Sequence, residues 1–270
     1  REPGMDAFSK VTATDAIETV AQALALHVRR AKAFVVLTGA GMSTECGIPD
    51  FRSPGSPWLA NPPMPFDRFL ASEDARREAW RRKFALDDHH EGAAPGVGHR
   101  ALARLVNEGV VKTVITQNID NMHQTAGVPA DKVIELHGNG TYARCLDCGR
   151  RHELAFCRRI LEEENRAPCC EACGGIVKAA TISFGQAMPQ EEMRRALHAA
   201  GNADLVLAVG SSLLVYPAAG LPLVARDNGA VFLILNRGET GLDREAHERF
   251  DVEAGPVLTR LASHLARRVN

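Results

Sequence analysis

Five short apolar runs alternating with helix-period segments predict an α/β fold, a Rossmann-like, doubly wound parallel sheet. The runs occupy residues 34–37, 112–115, 133–136, 205–209 and 231–235, and each is short enough for a buried strand. Each also ends in small or polar residues: Thr38-Gly39, Thr116-Gln117-Asn118, His137-Gly138, Gly210-Ser211-Ser212 and Asn236-Arg237. In open α/β sheets the ligand crevice lies beyond the carboxyl ends of the strands. Five polar strand ends therefore predict one shared ligand site.

Taken in order, residues 16–28 place Ile17, Val20, Leu24 and Val28 at helical spacing and precede the first strand. Residues 53–65 carry five prolines and lead into a charge-rich helical stretch over 67–88, suited to covering the sheet edge or acting as a lid. A second amphipathic helix is expected over 99–106, between that insertion and the second strand. Residues 139–178 hold a cysteine cluster and little strand signal. These shifts divide the chain into a main domain (5–52, 99–138 and 179–270), a helical insertion with its loop (53–98) and a cysteine module (139–178). No internal repeat or low-complexity tract is visible.

Composition narrows the class of function. The 270 residues are 45% hydrophobic and 24% charged, with a formal net charge of -1. That balance supplies no electrostatic reason to bind nucleic acid or an anionic membrane. No apolar run approaches bilayer-spanning length, and no basic segment followed by a long apolar run opens the chain. A cytoplasmic location is the expectation.

The first strand runs into "LTGAGMSTECGIPDFRS", residues 37–53. Gly39 and Gly41 suit a tight turn that brings backbone N–H groups to a pyrophosphate. The usual third glycine is replaced by Thr44, and no acidic residue stands about twenty positions on for the ribose. A hydride-transferring dinucleotide domain is therefore not indicated. Asp50, Phe51 and Arg52 instead supply a carboxylate, an aromatic face and a guanidinium fit to hold a planar, amide-bearing ring.

The second strand ends in "TQNIDNMHQTAG", where Gln117, Asn118 and Asp120 can grip hydroxyls and an amide directionally. His137, in "ELHGN", directly ends a strand and is suited to accept a proton from a ribose hydroxyl. The other nine histidines read as surface or helix residues.

Six of the seven cysteines lie between Cys145 and Cys173. Cys145-x-x-Cys148, 21 residues, then Cys170-x-x-Cys173 is close to the spacing of a four-cysteine zinc ribbon. Cys169 competes with Cys170, but Cys170 keeps the two-residue gap. Four sulfur ligands leave no open position, so such a zinc is structural.

The stretches "GAGMSTECGIPDFRS", "TQNIDNMHQTAG", "ELHGN", the two CxxC pairs, "GSSLLVYPAA" and "LNRGET" occur in the order found in the sirtuins, NAD-dependent protein deacylases. The resemblance runs from about residue 33 to 252. It implies that NAD is a consumed co-substrate and that one structural zinc is present. Gly39, Ala40, Gly41 and Thr44 would line the adenosine and phosphate end, with Asp50, Phe51 and Arg52 in a flexible cofactor loop. Gln117, Asn118, Ile119 and Asp120 would surround nicotinamide and its ribose. Gly210, Ser211, Ser212, Asn236 and Arg237 would hold the adenine ribose and phosphates, and Asp251 and Val252 would close the adenine pocket. His137 is similar to the family's general base, with Asn118 and Asp120 beside it in catalysis.

The implied reaction begins with attack of an acyl-lysine carbonyl on the nicotinamide ribose. His137 then deprotonates a ribose hydroxyl, and lysine and O-acyl-ADP-ribose are released. Protein mono-ADP-ribosylation at the same site is the alternative. The substrate would enter as an added strand between residues 182–189 and 212–217.

Two departures qualify the resemblance. Gln186 stands where the family often places an acid, which weakens any preference for basic flanking residues. The helical insertion offers only Trp80 with Lys83 where succinyl-lysine enzymes carry Tyr and Arg, so a neutral acyl group is expected against an apolar indole. Arg77, Arg81 and Arg82 are the other cations whose helix phase decides whether they reach the acyl group.

Overall fold

The computed structural model describes residues 13–50, 54, 56, 59 and 62–266. Phe51 and Arg52 lie outside the described residues. The main sheet has six parallel strands: β1 (Phe34–Thr38), β2 (Val111–Thr116), β3 (Val133–Glu135), β7 (Leu205–Val209), β8 (Val231–Leu235) and β9 (Glu248–Phe250). Their order is β3-β2-β1-β7-β8-β9. With the three intervening strands set aside, this is the doubly wound order, whose direction of winding reverses between β1 and β7.

The apolar runs are continuous because both faces of the sheet are covered. Within them the period of two sorts side chains onto two faces. Phe34, Val36, Leu205, Leu207, Leu233 and Leu235 enter one core. Val35, Leu37, Val206, Ala208, Phe232 and Ile234 enter the other. Helices α1 (Ala13–Arg30), α4 (Val97–Asn107) and α9 (Ala254–Ala266) cover the first face through Leu24, Leu102, Leu105, Val257 and Leu261. Helices α7 (Gln190–Gly201) and α8 (Leu221–Asp227) cover the second through Ala196, Ala200, Leu221 and Ala225. Strand β9 escapes the sequence reading because its three residues, Glu248-Arg249-Phe250, form a short polar edge.

The cysteine segment contains more strand than its sequence suggests. Strands β4 (Gly138–Cys145), β5 (Arg151–Glu153) and β6 (Val177–Thr181) make an antiparallel sheet in the order β5-β4-β6. It thus starts at Gly138 and ends at Thr181, beyond the 139–178 limits drawn from composition. Helix α6 (Leu154–Glu164) packs on it, and the short helix α5 (Met122–Thr125) follows β2 in the main sheet.

The helical stretch expected over 67–88 is two helices, α2 (Phe66–Ala71) and α3 (Glu73–His89). Ser72 is extended and caps α3, its Oγ accepting from the Ala75 N–H at 3.1 Å. Rather than lying on the sheet edge, α3 contributes Trp80 and Phe84 to a core shared with Ala143, Cys157, Leu161 and Val177. Insertion and cysteine module thus share one core. Among the described residues no helix is long and apolar enough to cross a membrane.

Candidate active site

Where the winding reverses, the turns after β1 and β7 press together. The Gly41 N–H donates to the Gly210 carbonyl at 2.8 Å, and the Gly39 N–H to that of Val209 at 3.0 Å. A Cβ on Gly39 would stand 2.7 Å from the Gly210 oxygen, and one on Gly41 2.9 Å away. Gly210 has φ of 59°, and a Cβ there would meet the Met42 nitrogen at 2.4 Å. The glycines thus answer to close backbone approach as well as to any phosphate.

A cleft of about 1800 Å³ opens above this point, between the strand ends and the small module. Ala40, Gly41, Thr44 and Asp50 border it on the β1 side, and Gly210, Ser211 and Ser212 on the β7 side. Asn236, Arg237 and Val252 stand at one end; Gln117, Asn118, Ile119, Asp120 and His137 line another wall. Gly39 lies underneath, its carbonyl accepting from Asn118 Nδ2 at 3.0 Å. Asp251 is not brought to the cleft. Its carboxylate accepts from the Gly238 N–H at 2.9 Å and pairs with Arg249, so it fastens the turn after β8 to the end of β9. The same Gly238 bond holds its carboxyl below the usual range.

His137 follows β3 and precedes β4. Its Nδ1 lies 2.9 Å from the Gln117 carbonyl oxygen, which can only accept, so Nδ1 carries the proton and Nε2 keeps a lone pair. Burial lowers its pKa, partly offset by the Gln117 bond. A neutral imidazole with a fixed tautomer is a base ready for use.

Beside it runs a buried polar chain whose members come from distant segments. Ser43 Oγ donates to Asp120 Oδ2 at 2.6 Å and lies 3.5 Å from His99 Nε2 and 3.3 Å from Asn118 Nδ2. The Gly96 N–H donates to His99 Nδ1 at 3.3 Å, leaving Nε2 as the protonated nitrogen facing Ser43. Thr38 Oγ1 joins Thr116 Oγ1 and His123 Nε2, each at 2.8 Å. Desolvation pushes His123 down to about 3, and His99 is lowered for the same reason.

These residues were missed because Ser43 and the histidines look like ordinary loop and helix residues. The juxtaposition of Asp120 with a hydroxyl is invisible without the fold. His152, buried on β5, is neither surface nor helix as the sequence reading had it.

Two groups can be tested for fit. Gln117 Oε1 accepts from Ser211 Oγ at 3.1 Å, yet among the described residues the buried Gln117 Nε2 has no partner. An amide donor held toward the cleft in this way suits a ligand carbonyl or hydroxyl, as NAD offers. The Sγ atoms of Cys145, Cys148, Cys170 and Cys173 all lie within 4.8 Å of one another, with pairs at 3.5 and 3.6 Å. A zinc tetrahedron with bonds of about 2.3 Å has edges of about 3.8 Å, so four thiolates here fit the ion. Cys169 is exposed and outside the cluster.

Trp80 is committed to packing. It is 2% exposed, stacks on Phe84 at 5.3 Å and donates its indole N–H to the Val177 carbonyl at 3.3 Å. It also borders the cleft. Lys83 pairs with Asp87, Arg82 with Glu78, and Arg77 and Arg81 reach Asn165.

At the cleft mouth, Phe184, Leu214 and Tyr216 are exposed, whereas Gln186 Oε1 turns back to accept from the Ser183 N–H at 3.1 Å. The Phe184 carbonyl also accepts from the Phe66 N–H at 2.9 Å, tying this loop to α2.

The sequence model of the Sir2 family matches residues 39–217. The NAD-dependent protein deacetylase of Rhodopseudomonas palustris is 53% identical over 219 residues, covering 81% of this chain and 87% of its own. NAD-dependent protein deacetylase 1 of Bradyrhizobium diazoefficiens is 54% identical over 216 residues, covering 80% and 85%. A solved Sir2–p53 peptide–NAD+ complex aligns with a TM-score of 0.77 at 33% identity, covering 91% of this chain and 97% of that one. A Sir2 bound to acetylated peptide aligns with a TM-score of 0.80 at 32% identity, covering 91% and 98%.

Proposed function

This chain belongs to the Sir2 family and is an NAD-dependent protein deacetylase, and we propose that His137 is its general base. The observation that carries the assignment is the His137 Nδ1 bond to the Gln117 carbonyl, which leaves Nε2 unprotonated. NAD supplies the activated ribose carbon and the nicotinamide leaving group. The protein's part is to orient and to move protons.

Gln117 and Asn118 hold nicotinamide and its ribose, while Asp120, braced by Ser43, keeps a carboxylate close to that end. His137 takes a proton from a ribose hydroxyl and so directs the acyl group to ADP-ribose. The turns at 39–44 and 210–212 hold the pyrophosphate and adenine ribose, with Asn236, Arg237 and Val252 toward adenine. Phe51 and Arg52 complete the cofactor loop, and Asp251 supports the adenine end by holding the Gly238 turn.

The substrate is an acyl-lysine peptide pairing as an extra strand with 182–189 and 212–217, and the acyl group is neutral. The cations of α3 support that reading, since their charges are engaged elsewhere. A tetrathiolate zinc site suits a reducing compartment, the cytoplasm.

Mass spectrometry of products from acetyl-, longer neutral acyl- and succinyl-lysine peptides with NAD tests the reading. Free lysine peptide, nicotinamide and O-acyl-ADP-ribose are expected in equal amounts. ADP-ribose attached to protein, with no need for an acyl-lysine, would instead favour transferase chemistry.

A further inference from the structure

His137 stands between two side chains that are joined to each other, Glu135 at the end of β3 and Asn139 at the start of β4. Asn139 Nδ2 donates to Glu135 Oε1 at 2.8 Å and to Asn121 Oδ1 at 3.0 Å. Asn139 Oδ1 accepts from the Thr141 N–H at 2.9 Å and from Thr141 Oγ1 at 2.6 Å. Both hydrogens and both lone pairs of this buried carboxamide are thus engaged. Glu135 Oε1 accepts a second bond, from Gln124 Nε2 on α5, at 2.8 Å. Glu135, Asn139, Asn121 and Gln124 do not border the cleft, so none of them meets the reactants. A polar network satisfied in this way makes its surroundings rigid.

What it makes rigid is the setting of the base. Just after His137 the chain turns sharply: Gly138 has φ of 74°, and a Cβ there would meet the Ala180 oxygen at 2.0 Å. The loop that receives the His137 Nδ1 bond begins at Gln117 and ends at Asn121. Residues 135–140 grip this loop at three points. His137 Nδ1 meets the Gln117 carbonyl, the Gly140 N–H donates to the Ile119 carbonyl at 2.7 Å, and Asn139 holds Asn121. Only the last grip is made by a side chain away from the cleft, and Glu135 anchors that side chain from the opposite side. Both amide donors fall on one Glu135 oxygen, so the position needs an acceptor and not a charge. Burial accordingly pushes the Glu135 carboxyl up, with the Gln124 and Asn139 bonds opposing it.

We propose that Glu135 is a positioning residue for the base: through Asn139 it fastens residues 135–140 to the loop at 117–121 and so keeps the His137 ring where it can take the ribose proton. The inference rests on His137 being the general base.

Two steps of the reaction separate positioning from a merely structural role. Nicotinamide leaves before the base acts, so exchange of labelled nicotinamide into NAD, with acetyl-lysine peptide present, reports the first step. O-acetyl-ADP-ribose formation reports the second. Glu135→Leu removes the acceptor and should slow product formation by about 10- to 100-fold, the scale of a small misplacement of a reacting group. Exchange should not fall, and the circular dichroism spectrum should be unaltered. Glu135→Gln places a carboxamide oxygen at the same point and should keep product formation within about threefold of the wild type.

Equal loss of both steps in Glu135→Leu would overturn the proposal, as would wild-type product formation in that variant or a Glu135→Gln defect equal to it. Where Glu135→Leu does not fold, Glu135→Thr carries the same expectation, since it suits a strand and is too short to reach either amide. Loss of fold in both overturns it too, because the side chain would then be holding the fold and not the base. His137→Ala keeps the premise separate. If it spares the second step, His137 is not the base; if it slows that step alone while Glu135→Leu does not, only the role of Glu135 fails.

Discussion

The six-stranded sheet and the small module bury their interiors in different ways. The sheet is parallel and covered on both faces, so its central strands β1, β7 and β8 are apolar at nearly every position, and the two cores hold large side chains such as Phe34 and Phe232. The module is antiparallel, and β4 mixes buried, half-buried and exposed positions, alternating only over Ala143–Cys145. Among the described residues its core has eight buried members, two of them the ligating Cys145 and Cys170. A core that small seldom stands alone, and a structural metal is one remedy. The difference teaches where each half derives its stability: apolar burial in the sheet, metal in the module.

The strongest way to break that contrast is to remove the metal. Chelation, or Cys170→Ser, should lower zinc from about one equivalent and expose the amides of 138–181 to hydrogen exchange while β1, β7 and β8 stay protected. Structural zinc is worth about 10–16 kcal/mol in small peptides, far more than eight buried side chains leave in surplus. Cys169→Ser should change neither metal content nor exchange. Unchanged protection of the module after zinc loss would refute the distinction.

His137, the proposed base, stands on the seam between the halves. His137→Ala should lower deacetylation by about 10²–10⁴-fold with an unaltered circular dichroism spectrum, and a change of only a few-fold would remove it from that role. Because burial lowers its pKa, the acid limb of kcat/KM should fall below the ordinary histidine value of about 6.5.

A smaller effect sharpens the sheet's side of the comparison. His123, buried under the strand ends, is pushed down to about 3, whereas the unfolded chain takes up this proton near about 6.5. Between those values the unfolded state binds the extra proton, so the contribution is full above about 6.5 and is lost as pH falls. The slope is up to about 1.4 kcal/mol per pH unit. Denaturation of wild type and His123→Gln from pH 7.5 to 4.5 should show the shallower decline in the variant, and parallel curves would count against the buried neutral ring.

The least effect concerns the acyl group beside the module. A carboxylate brought there would need to displace existing pairs of Lys83 or Arg82 or remain unpaired. Acetyl-lysine should therefore exceed succinyl-lysine by about tenfold or more in kcat/KM, equivalent to about 1.4 kcal/mol. A better succinyl substrate would mean that one of these cations swings inward.

Much of the sheet was legible because strand burial writes itself into consecutive residues: Leu205–Val209 is apolar in sequence and buried throughout in structure. The strand ends were legible for the related reason that polar residues following such a run must lie at the sheet's rim. The small sheet was not, since only three of the eight β4 residues are buried and these form no apolar run.

By itself the sequence determined the parallel sheet, the ligand edge with His137, and the four sulfurs, because each rests on local pattern or on spacing within one segment. Tertiary structure alone decided that Ser43, His99 and Asp120 meet, across separations of 56 and 77 residues, and that α3 completes the module's core. It also set the Asp251 carboxylate on the Gly238 N–H and buried His152 on β5. The physical reason is common to all four. Local propensity acts over a turn or a strand, whereas these contacts form only when chain segments with no sequence relation are packed against one another.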